Sequence, residues 1–136
     1  MVLSTSAVEA DVIAQLKTIV PRVYTTSVPE GISPDYPLIV VYFLEPVRTS
    51  ADRNVVSTRF DTLRGGCTVE IQAPTDDAAN KVKDKVRNLA GYRPPDCGEM
   101  QLEGGTAIYP HTSNGLNPTL YFRYVAFSWL TNLSTE

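Results

Sequence analysis

The sequence has little of what most chemistry requires. It contains one histidine, His111, among 136 residues, which excludes the multi-histidine ligand sets of zinc sites. No glycine-rich loop followed by Lys-Ser/Thr is present. The pair Gly65-Gly66 precedes a strand pattern and reads as a turn, not as a phosphate cradle. No run approaches the ~20 apolar residues that a membrane-spanning helix needs. The N-terminal MVLSTSAVEAD has no basic region and no long apolar run, so no secretory leader is expected. Two cysteines, Cys67 and Cys97, are expected to be reduced thiols of an intracellular protein. Basic charge is also short: Lys+Arg number 12 against 15 Asp+Glu, a net charge of −3. That balance argues against nucleic acid as the primary partner, because phosphate binding needs a basic face.

What is present suits a single domain over residues 1–136. The chain is 43% hydrophobic and 20% charged, enough to build a core without disulfides. The stretch from Arg64 to Gly91 organises the reading. Gly65-Gly66 supplies the positive φ of a tight hairpin turn. From Cys67 to Ala73 apolar and polar residues alternate, as in a half-buried strand. Pro74 stops it. Thr75 is an N-cap candidate, with Asp76 and Asp77 at the positive end of the helix dipole. Ala79, Val82, Val86 and Leu89 then share one helical stripe, Asp77 and Lys81 pair at i,i+4, and Gly91 is the C′ stop.

Around this unit, Ser6 and Glu9 have capping-box spacing ahead of Val8, Val12, Leu16 and Ile19, which predicts a first helix from about Ala7 to Ile19. Val23-Tyr24 reads as a short strand, followed by a rigid loop containing Pro29, Gly31, Pro34 and Pro37. Leu38 to Leu44 is apolar on both faces and bounded by Pro37 and Pro46, the mark of a covered strand or of one facing a partner. Val55 to Leu63 reads as a strand that the glycine turn joins to Cys67–Ala73. Met100–Glu103 and Thr106–Tyr109 are two short strands, PHTSNGLNP is a loop, and Leu120 to Thr131 is the longest strand. The class is α+β: a mainly antiparallel sheet with two helices packed on one face.

Chemistry is hard to assemble from these parts. Asp76, Asp77 and Asp84 suggest a metal, but alternating lysines make a solvated, dipole-matched helix face the better reading. Aromatics from Tyr121 to Trp129 alternate onto both strand faces, with only Arg123 interleaved, so they suit a core or subunit interface rather than base stacking. Cys97 and His111 form the one conceivable nucleophile and base, both in loops, with no basic cluster or helix N-terminus beside Cys97. No enzyme, metal or cofactor is expected. A small enzyme or ligand-binding domain using Cys97 and His111 is the alternative from a different class.

The segment VYTTSVPEGISPDYPLIVVYFLEP resembles the first half of the tail-completion, or tail-terminator, proteins of long-tailed (siphovirus-type) bacteriophages. Val23-Tyr24, Pro29 and Pro37 followed by the apolar run Leu38–Val41 carry the likeness, and the order of elements is similar. The departures are the segments 25–27 and 31–35, which are longer than the family's usual loop. The resemblance implies a structural virion protein with no catalytic residues and no cofactor. It would form a ring, usually of six copies, that caps the head-proximal end of the tail tube. Its partners would be itself, the major tail tube protein and the head–tail connector protein, and it would be assembled in the host cytoplasm. A neck adaptor is the close alternative.

Interface candidates come from the hairpin. A two-residue turn at Gly65-Gly66 sets Phe60 opposite Ile71, Thr62 opposite Val69 and Asp61 opposite Glu70. Like charges facing across a ladder need a cation. Arg59 lies diagonal to Glu70, and Arg48 or Arg53 arrives from a projecting arm, Glu45 to Asn54, of the same or a neighbouring subunit. Arg48, Arg53, Arg59, Asp61 and Glu70 are therefore the expected subunit-interface residues. The alternative is that both carboxylates are solvated and the arm is disordered in the free protein.

Overall fold

Two apolar helix stripes and one apolar sheet face must be buried together, and the computed structural model shows how. It describes residues 5–26, 28, 35–48, 60–95, 97–103, 111–113 and 120–134. The elements are α1 (Thr5–Lys17), β1 (Val23–Thr25), β2 (Leu38–Arg48), β3 (Phe60–Ala73), α2 (Asp76–Arg87), β4 (Gln101–Leu102), β5 (His111–Ser113) and β6 (Leu120–Ser134). One six-stranded sheet runs in the order β1-β2-β3-β6-β4, and β5 pairs with β6 beside β4. Only β1 and β2 are parallel; the other pairings are antiparallel.

Both helices lie on one face, so the α+β expectation holds. Val8, Val12 and Leu16 of α1 and Val82 and Val86 of α2 join a single core with Ile39, Val41, Cys67, Val69, Ile71, Val125, Phe127 and Trp129 of the sheet. These strand residues alternate in sequence, so the pleat sends them all to the helix side. Burying each large aliphatic side chain contributes about 1.5–3 kcal/mol.

The α2 expectations hold at its start. Thr75 is extended (φ −135°, ψ 153°) and its hydroxyl accepts from the Ala78 N–H at 3.1 Å. Lys81 meets Asp77 at 3.0 Å. The end differs. The helix stops at Arg87 with Asn88 as C-cap, and Gly91 comes after a further turn with φ +93°. Its N–H reaches the Met100 carbonyl at 2.8 Å, so this glycine bends the chain back toward β4 instead of stopping the helix. The first helix covers Thr5–Lys17, so Ser6 sits inside its first turn and is not the cap. The residues after it continue as tight turns that keep Val20 buried.

Side-chain ties brace the helices. Arg123 of β6, largely buried, donates to the Asn80 side chain at 3.0 Å and to the Asp76 carboxylate on α2. The Tyr92 hydroxyl donates to Asp11 of α1 at 2.6 Å. Asp76 thus serves the helix dipole and also holds a strand.

The largest correction concerns Gly65-Gly66. They form no turn: β3 passes straight through them, and neither has positive φ. What these positions require is space. A Cβ at Gly66 would stand 2.5 Å from the Phe127 carbonyl oxygen, and one at Gly65 would stand 2.8 Å from Trp129 Nε1. Opposite them on β2 the register slips between Leu44 and Val47, so Glu45 and Pro46 face Gly65 alone. This bulge absorbs Pro46, which has no N–H to give, and lets β2 continue to Arg48. The expected end of that strand at Leu44, and an arm beginning at Glu45, are corrected accordingly. His111–Ser113 is a strand where a loop was expected, because β6 offers it an edge. Residues 55–59 and the expected strand Thr106–Tyr109 lie outside the described residues.

Gly66→Ala should destabilise the chain by about 1–3 kcal/mol, since the obstacle is backbone and not a movable side chain. Urea unfolding measures it. An unchanged midpoint would show that β3 and β6 can part without cost.

Candidate interaction surface

The face turned away from the helices carries the other half of each strand's alternation. From β2 come Tyr42 and Leu44, from β3 Arg64, Gly66, Thr68, Glu70 and Gln72, and from β6 Phe122, Tyr124, Ala126, Ser128 and Leu130. Toward one end this face is closed, with Leu38 and Val40 almost wholly buried. Toward the other it opens, and Leu44 and Leu130 are 59% and 47% exposed. A lone exposed leucine needs no explanation; here one lines each of two adjoining hollows.

Glu70 stands in the middle strand of this face. It lies opposite Val40 on β2 and Tyr124 on β6. The Gln72 amide donates to its carboxylate at 2.8 Å. The Tyr42 and Tyr124 hydroxyls donate to it as well. Burial raises Tyr42 above its ordinary value, and the charge and hydrogen bond of Glu70 add to this. Burial first, then the Glu70 charge and hydrogen bond, then Tyr42, push Tyr124 up to about 12. Both hydroxyls therefore stay protonated as donors at neutral pH.

Beside this cluster, where β3 carries Gly65, lies a trough of about 510 Å³. Leu44 and Glu45 wall it on the β2 side and Glu103 on the β4 side, with Thr68, Ala126 and Ser128 on its floor. The Ser128 hydroxyl donates to Glu103. Arg64 and Ser128 also line a second hollow of about 90 Å³ that extends toward Leu130. No protein-family model and no curated protein matches the chain. Among the described residues no group of three or more His, Cys, Asp or Glu is placed to hold a metal, and no helix is long and apolar enough to cross a membrane.

The expected interface residues fare unevenly. Glu70 does lie on the face away from the helices, but Asp61 is not opposite it. Asp61 is on the same strand, paired with Leu133, nine residues or ~30 Å away. The expected register failed because it assumed a turn where the chain runs straight. Arg48 ends β2 opposite Leu63. Arg53 and Arg59 lie outside the described residues. Within the described residues Glu70 is met by two tyrosines and a glutamine; the side chains of the arginines expected beside it lie outside them. Alternation placed Glu70, Gln72 and Thr68 together, but no signal in the sequence joined Tyr42 and Tyr124 to them. That pairing needs the register of three strands.

Cys97 and His111 are not brought together. Cys97 bridges β6 at Thr131 and His111 pairs at Phe122, so the two meet β6 nine residues, or ~30 Å, apart. Cys97 is buried in the core, where the expectation was a loop thiol. Cys67 is buried as expected, and burial pushes its thiol up to about 12. A thiol reagent at neutral pH should leave Cys67 unmodified until the chain is unfolded, and His111→Ala should not change the rate at Cys97. Mass spectrometry of the labelled chain reads both, and a Cys97 rate that fell in His111→Ala would contradict the geometry.

Tyrosine titration tests the cluster. A group with a raised folded-state pKa contributes stability that is complete below its unfolded value, ~10 for tyrosine, and is lost as pH rises through the folded value. Phenolate absorbance should show one late-ionising tyrosine near pH 12, absent in Tyr124→Phe. Stability should fall between pH 10 and 12, with Cys67 contributing in the same direction. Glu70→Gln should lower the late transition only in part, because burial is the larger cause.

Proposed function

We propose that this chain is a structural assembly protein, a tail terminator that forms a ring closing the head-proximal end of a phage tail tube and takes part in head–tail joining. The observation that carries the reading is the composition of the free sheet face. Helices back one side of the sheet. The other presents the exposed Leu44 and Leu130 toward one end and a Tyr42–Glu70–Tyr124–Gln72 cluster further along the same face. Aromatic anchors among apolar side chains, with their polar atoms already hydrogen-bonded, are what a protein interface uses. The resemblance of the 23–46 segment to tail terminators supports the same reading. The sheet face would be covered by neighbouring copies, and the rims of the ring would meet the major tail tube protein and the head–tail connector.

Light scattering with electron microscopy of the purified protein, alone and with tail tubes, provides the test. A ring of about six copies that caps one tube end is expected. A monomer at every concentration, with and without tubes, would sink the proposal. Capping of DNA-filled heads instead of tubes would move the protein to the neck.

A further inference from the structure

The trough on the free sheet face is acidic. Glu45 and Glu103 stand at its two walls and are exposed, and Arg64 is the cation that lines it; Glu70 lies outside the lining, two residues beyond Thr68 on β3. The segment between β2 and β3, residues 49–59, reads TSADRNVVSTR and has the opposite balance, with Arg53 and Arg59 against Asp52. We propose that the trough is the receptor for the 49–59 segment of a neighbouring copy, an inference that rests on the ring reading above.

Distances favour docking between copies. Arg59 directly precedes Phe60, and Glu70 is ten residues further along the same straight strand, ~33 Å away, beyond the reach of any side chain. Between subunits the dimensions agree. Glu45 on β2 and Glu103 beside β4 are three strand spacings apart, ~14 Å. Arg53 and Arg59 are six residues apart, ~20 Å if extended, a difference that flexible arginine side chains take up. Val55 and Val56 lie between the arginines, are β-branched and favour an extended chain, and match the exposed Leu44. Guanidinium groups bind carboxylates bidentately, and a carboxylate already fixed by Gln72 and two tyrosines loses little freedom on being paired.

A charge exchange tests this. One variant carries Arg53→Glu and Arg59→Glu; the other carries Glu45→Lys and Glu103→Lys, both at exposed positions. At a concentration where the native chain is assembled, each variant alone should stay dissociated by light scattering, with an assembly midpoint raised at least about tenfold. Mixed in equal amounts they should regain the native mass, because each acidic segment then meets a basic trough. Native assembly should also weaken with added salt. Circular dichroism melts confirm that both variants are folded, and Glu70→Gln serves as a milder second test with a smaller shift in the same direction. Normal assembly of either charge variant, or folded variants that fail to recover on mixing, would overturn the docking and leave the ring intact. A native chain that never assembles overturns the ring and the docking with it.

Discussion

The ladder between β3 and β6 has fourteen rungs, from Phe60–Ser134 to Ala73–Tyr121, and every other part of the fold is referred to it. Each rung closes a loop that contains α2, so the pairing carries a large closure entropy before any of it is returned. At its centre the two backbones are so close that a methyl group at Gly66 would strike the Phe127 carbonyl. The glycine is there to let two long strands approach. The β2 bulge opposite it is the matching adjustment on the other side, and it also accommodates Pro46.

From that ladder the two faces follow. Odd-numbered residues of β3 and β6 near its centre point to the helices, and even-numbered ones point away. The helix side is bound by apolar packing and by Arg123 and Tyr92, whose hydrogen bonds link strand to helix and loop to helix. Among the described residues no helix lies on the other side, yet it is not a plain solvated surface. The Tyr42 and Tyr124 hydroxyls beside Glu70 stay protonated near neutrality.

Local rules decided whatever depended on neighbours in sequence. The α2 N-cap at Thr75, its Asp77–Lys81 pair and its buried stripe, the alternation of Cys67–Ala73, the burial of Cys67 and the α+β class were all legible, because caps, dipoles and periodicity act within a few residues. What only the tertiary structure decided was where strands meet. Gly65-Gly66 has the composition of a turn, and a turn is the local optimum; a long-range pairing with β6 overrode it, turning two expected strands into one and separating Asp61 from Glu70. The same pairing set Cys97 and His111 at distant points along β6 and brought Tyr42 and Tyr124 to Glu70 from two other strands. Strand register is a property of the assembled sheet. A one-residue slip exchanges its faces, and no window of neighbouring residues contains that information.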